Sequence, residues 1–158
     1  MKRASLNIAF HSRLEMTPET ALEWFGSIQG MQKEMRPFFF WDAPEQLVQA
    51  PGAPGPGRIS GRWYGLFKVN IHPVRWELTE HEELSISAVH PSWQIHRRVG
   101  FAQQHTWVRD RIHLTPRYRA TAWLWWLWVA PLFWWRHYRI RSQFDGEPWE
   151  PDWERNYF

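Results

Sequence analysis

Cysteine is absent from the chain. That excludes a disulfide framework, thiolate metal ligation and cysteine nucleophiles, and it fits a cytoplasmic protein. The opening "MKRASLNIAFHSR" is not expected to act as a secretory leader, since it has basic residues but no apolar core and no cleavage-type ending. There is no Gly-x-Ser-x-Gly elbow. There is no phosphate-cradling loop either, since "GAPGPG" has prolines where backbone N–H groups are needed and no helix follows it. Eight histidines are present, yet no two stand at the helical i, i+4 spacing of a metal pair, and "HPSWQIH" is too loose to specify one. No cofactor or metal signature is found, and no internal repeat.

Tryptophan, by contrast, is abundant. Six of fourteen lie in "TAWLWWLWVAPLFWW", residues 121–135. With Ala120 this run would make a helix of about 24 Å against ~30 Å of bilayer hydrocarbon, it contains Pro131, and Arg136 follows directly. Tryptophan also prefers the membrane interface to its centre. A transmembrane span is therefore not expected. The net charge of +3 is unevenly spread: residues 109–141 hold seven Arg and one Asp, and 145–158 hold five acids and one Arg. An acidic tail can lie back on such a basic helix. No recognised nucleic-acid module accompanies the arginines, and no nucleic-acid partner is expected.

Hydrophobic period divides the chain. Leu6, Ile8 and Phe10 alternate with Asn7, Ala9 and His11 as in a half-buried strand. "MTPETALEWFGSI" starts a helix with Thr17 as N-cap and Pro18 at N1, ended by Gly26 or Gly30; a second short helix carries Met31 and Met35, and "PFFFWD" reads as an apolar plug. "PGAPGPG" is a loop. From there the period is two. Ile59, Gly61, Trp63, Gly65, Phe67 and Val69 share a face, as do Val74, Trp76 and Leu78, then Leu84, Ile86 and Ala88. Val99, Phe101, Gln103, His105 and Trp107 share another, followed by Ile112 and Leu114. This is an antiparallel meander with one wet side. From about residue 120 the period is 3.6: Trp126, Ala130, Phe133, His137, Ile140 and Phe144 form one stripe of a long helix that Pro131 should kink or divide. Its other side, through Trp128, Leu132 and Trp135, is left apolar.

This layout resembles the START-like or SRPBCC superfamily, the helix-grip or Bet v 1-like fold. "SLNIAFHSRLEMTPETALEWF" is similar to its opening strand and helix, "RDRIHLTPR" to its penultimate strand, and "LFWWRHYRIRSQF" to its terminal helix. The resemblance implies an α+β domain over residues 1–144, with a curved antiparallel sheet wrapped around the C-terminal helix and a cavity between them. Residues 145–158 form an acidic, Trp-containing tail outside it. The His-x-His pattern common in the family is represented here by His105 alone.

The function expected on this basis is non-enzymatic binding of a hydrophobic small molecule, lipid-like or polycyclic. Its cavity would be lined by Trp63, Phe67, Trp76, Phe101, Gln103, His105, Trp107, Trp126, Ala130 and Phe133. Gln103 and His105 would either orient the ligand's polar end, pair with a neighbouring strand, or turn outwards at a bulge near Gly100. His105 lacks an evident catalytic partner, since Asp110 falls on the opposite face of a regular strand and Glu77 points outwards between Trp76 and Leu78. Two alternatives share the fold: a polyketide aromatase/cyclase-like enzyme, and a protein-interaction module with a filled core. The outer face of the 121–135 helix is left for the tail, a second copy in a homodimer, or a peripheral membrane contact.

Overall fold

In the computed structural model, which describes residues 5–42, 59–71, 74–78, 83–90, 93–101, 105–115 and 119–148, the alternating opening segment is strand β1 (Leu6–Leu14). Its even-numbered residues face the core and end in the fully buried Ser12 and Leu14. Thr17 caps α1 (Pro18–Phe25), its hydroxyl accepting the Thr20 N–H at 3.4 Å, and Pro18 stands where no intrahelical donor is required. Gly26 closes that helix. Ser27 caps α2 (Ile28–Met35) by accepting the Gly30 N–H at 3.0 Å, and Met31 and Met35 are buried.

The apolar plug after Pro37 takes the form of a strand. Phe39–Asp42 is strand β2, paired antiparallel with β3 (Ile59–Trp63), which pairs in turn with β4 (Phe67–Ile71). Tyr64 (φ 51°) and Gly65 (φ 72°) turn the chain between β3 and β4, and the Leu66 N–H donates to the Trp63 carbonyl at 2.9 Å. Two successive positive φ angles are what a tight hairpin needs to match the twist of its strands. β5 (Val74–Leu78), β6 (Leu84–His90), β7 (Trp93–Phe101) and β8 (Thr106–Leu114) form the expected meander. β8 then pairs with β1, and β1 with the two-residue β9 (Glu147–Pro148), giving the sheet order β5-β6-β7-β8-β1-β9. The "PGAPGPG" loop and residues 149–158 lie outside the described residues.

The stretch from Val99 to Trp107 is not one strand face. Phe101 pairs with Thr106, so residues 102–105 connect two strands. An even-numbered connection of this kind reverses parity. Odd residues of β7 therefore share the core side with even residues of β8: Val99 opposes Val108, and Arg97 opposes Asp110. Trp107 opposes Gly100 on the outer side, where a Cβ built on Gly100 would fall 2.1 Å from the indole.

α3 (Arg119–Gln143) runs unbroken through Pro131 and packs on β1, β8 and α2. Its buried side is Val129, Leu132, Phe133, Arg136, His137 and Ile140. Phe133, His137 and Ile140 are thus inside as their spacing indicates. Leu132, assigned to the outer side from sequence, is core, whereas Trp126 is exposed because the first half of α3 extends beyond the buried layer.

Candidate functional site

Six polar or charged side chains meet under α3 with almost no exposure: Ser12 of β1, Glu34 of α2, Arg97 of β7, Asp110 of β8, and Arg136 and His137 of α3. Parity places Arg97 and Asp110 side by side on the inner face. Arg97 donates to Asp110 through Nε (2.7 Å) and Nη2 (2.8 Å), and its Nη1 reaches Glu34 Oε2 at 2.7 Å. Arg136 Nε donates to the same Glu34 oxygen at 2.6 Å, and Trp24 Nε1 to the other at 2.9 Å. His137 Nε2 lies 3.1 Å from Asp110 Oδ2, and its Nδ1 lies 2.7 Å from Ser12 Oγ. A carboxylate can only accept, so Nε2 carries the proton, and the bare Nδ1 takes the Ser12 hydroxyl hydrogen.

The network balances two cations against two anions. Burial alone would raise both carboxyls. The Arg97 and Arg136 guanidiniums, with their hydrogen bonds, instead hold Glu34 below and Asp110 well below the usual range. Burial lowers His137 against the pull of Asp110, which keeps the ring neutral near neutral pH. Ser12, His137 and Asp110 form a serine–imidazole–carboxylate chain, but Ser12 is sealed inside the sheet with no space beside it for a substrate. The chain of bonds is suited to holding α3 on the sheet rather than to nucleophilic attack. Among the described residues no group of three His, Asp or Glu side chains converges on a metal position.

Two spaces adjoin this network. The inner one, between the sheet, α2, β2 and α3, is only about 50 Å³, with apolar walls such as Met35, Trp93 and Phe133 and with Arg97 and Arg136 at one end. It has room for water but not for a ligand of ordinary size. The outer one is a groove of about 370 Å³ between β3–β4 and the first half of α3. Its walls are Trp63, Phe67, Val69, Thr121, Leu124, Trp125 and Trp128. Trp63 lines both and stands as the partition.

Residues 12–144 match the family model described as a domain of unknown function, DUF8410. The chain belongs to that family. No curated protein matches it. In fold this DUF8410 member is similar to a conserved protein of unknown function from Enterococcus faecalis (TM-score 0.58, 11% identity, 98% of this chain and 82% of that one). It is likewise similar to a norcoclaurine synthase point mutant from Thalictrum, solved in complex with a transition-state analogue (TM-score 0.56, 10% identity, 90% and 95%). A Chromobacterium violaceum protein superposes with TM-score 0.53 at 12% identity, over 85% of this chain and 96% of its own. The DUF8410 chain has the helix-grip, Bet v 1-like fold. No described helix is long and apolar enough to cross a membrane.

Of the residues expected to line a cavity in this DUF8410 chain, the structure brings Trp63 and Phe67 to the groove, and Trp63 and Phe133 to the inner space. Phe101, His105, Trp107, Trp126 and Ala130 line neither. His105 stands outside, its Nδ1 3.1 Å from Glu15 Oε1 and its Nε2 bonded by Arg13 Nη2. The carboxylate beside it is therefore Glu15, and neither of the two spaces adjoins the pair. Trp76 pairs in register with Ile86, and Gln103 lies outside the described residues. Sequence reasoning missed the buried network. The available signal was Arg97, whose parity with Trp93 and Val99 turns a guanidinium inwards and so demands acidic partners.

Proposed function

We propose that this protein binds a hydrophobic small molecule, lipid-like or flat and polycyclic, without turning it over. The observation that carries the reading is the groove of about 370 Å³ between β3–β4 and α3, walled by Trp63, Phe67, Val69, Leu124, Trp125 and Trp128. That volume falls within the roughly 300–1,000 Å³ of small-molecule sites, which are apolar with few polar groups; among the lining residues Thr121 carries a hydroxyl and Trp63, Trp125 and Trp128 an indole N–H. The site is shallower than the sequence suggested, because core side chains fill most of the space under α3 and Trp63 closes it.

A binding role is favoured over catalysis by what the spaces contain. The ionisable groups reaching the inner space are two arginines, which hold their protons at neutral pH. The proton-exchanging groups, His137 and Asp110, are occupied with each other and with Ser12. The lack of cysteine suits a cytoplasmic setting for such a carrier.

Native mass spectrometry of the protein as purified tests the reading. A retained hydrophobic mass, lost in Leu124→Glu and in Phe67→Glu, is expected. A protein that retains nothing and takes up no fatty acid, sterol or polycyclic compound on titration overturns it.

A further inference from the structure

Among the side chains whose exposure is described, each large exposed apolar one belongs to one of two segments, residues 64–67 at the β3–β4 turn and residues 123–138 of α3. The most open are Leu66 (77%), Trp123 (63%), Phe67 (62%) and Trp134 (57%). The two segments adjoin: the Tyr64 ring lies edge-on to Trp128 with centroids 5.7 Å apart, and the groove opens between them. On α3, Trp123, Leu127, Trp134 and Tyr138 recur at spacings of 4, 7 and 4, a stripe opposite the core stripe of Val129, Leu132, Arg136 and Ile140. α3 thus has a second apolar side about 22 Å long, and its side chains stand exposed among the described residues.

The charge that these two segments carry has one sign. Residues 59–71 and 119–144 contain no Asp or Glu. Lys68 and Arg139 are exposed on them, and Arg62 is exposed and bonded to Asp42. Trp and Tyr favour the headgroup level of a bilayer, and helices with a Trp-rich side bordered by cations lie flat in it. No described helix is long and apolar enough to cross, so the arrangement suits lying on a membrane. A two-fold contact with a second copy would set Lys68 and Arg139 against their own copies, and neither segment supplies an acid to meet them.

We propose that the acid-free aromatic face made by the β3–β4 turn and the outer side of α3 docks on an anionic lipid surface. Leu66, Phe67 and Trp123 enter the headgroup layer, and Lys68 and Arg139 meet lipid phosphates at its edge. The groove mouth then faces the bilayer. The docking itself does not depend on the groove holding a ligand.

The test is flotation of the full chain with phosphatidylcholine vesicles, with and without phosphatidylglycerol, read together with tryptophan quenching by brominated lipid. Wild type is expected to float with the anionic vesicles, to be quenched, and to dissociate as salt rises. Leu66→Glu and Trp123→Glu should each weaken partitioning by roughly tenfold or more with an unchanged melting temperature, since both side chains are exposed. The proposal is overturned if wild type stays unbound, if the variants float equally well, or if wild type is a dimer that the variants split while no form binds lipid. Failure of ligand uptake with intact flotation would count against the groove alone.

Discussion

Arg97 clamps Asp110 with two parallel hydrogen bonds of 2.7 and 2.8 Å, both partners lying beneath α3 and out of reach of solvent. Glu34 and Arg136 complete a neutral quartet, so each charge is tolerated only while its partners remain. Asp110→Asn would leave two guanidiniums facing one carboxylate. It should lower stability by about 3–5 kcal/mol in urea denaturation at neutral pH. Asp42→Asn, which breaks the exposed pair with Arg62, should cost at most about 1 kcal/mol.

Stability should also fall with acid in two stages. His137 is held below its ordinary 6.5 by burial, against the Asp110 hydrogen bond and charge. Below about pH 6.5 the unfolded chain therefore takes up a proton that the folded chain refuses, and stability falls as pH falls. Asp110 and Glu34 titrate lower in the folded state than in the unfolded one. Their contribution is complete above roughly pH 4 and is lost as pH drops through the folded values. Urea midpoints measured across this range should show both stages, and His137→Gln should shrink the upper one, leaving the part due to His96, which burial also holds below its ordinary value, while keeping the lower.

Gly100 is a packing position. Trp107 lies over it on the outer side of the sheet, with ring atoms 2.1 Å from where a Cβ would sit. A methyl group there must displace a bulky ring. Gly100→Ala should destabilise by about 1–3 kcal/mol and shift the Trp107 indole resonance, and a neutral outcome would place Trp107 elsewhere.

His105 is hydrogen-bonded by Arg13, with the Glu15 carboxylate 3.1 Å from its Nδ1, and it lines neither space. His105→Ala should therefore leave ligand affinity unchanged within about twofold, measured by fluorescence titration. A tenfold loss would return the residue to the site.

Periodicity carried the fold. β1, α1 with its Thr17 cap, the meander and the buried Phe133–His137–Ile140 stripe all follow from spacing and capping chemistry in the sequence. Parity across turns is what periodicity leaves open. Between Trp63 and Phe67 the odd-numbered connection 64–66 preserves parity, so reading straight through placed Trp63, Phe67 and Val69 together, as the structure does. Between Phe101 and Thr106 the connection is even-numbered, and the same reading placed His105 and Trp107 inside while leaving Asp110 out. One residue of turn length inverted that part of the candidate site. The groove was only half legible, because α3 walls it with Leu124, Trp125 and Trp128, which stand off the core stripe that helical spacing reveals.

The central claim, that a hydrophobic ligand sits between β3–β4 and α3, is tested most directly by tryptophan indole resonances. The ¹⁵N-labelled protein should be titrated with fatty acids, sterols and polycyclic compounds while the indole N–H signals are followed. A binding compound should shift the Trp63, Trp125 and Trp128 signals and leave Trp24, which is tied to Glu34, and Trp107 in place. Shifts confined to Trp24 or Trp107, or no shift with any compound, would contradict the account.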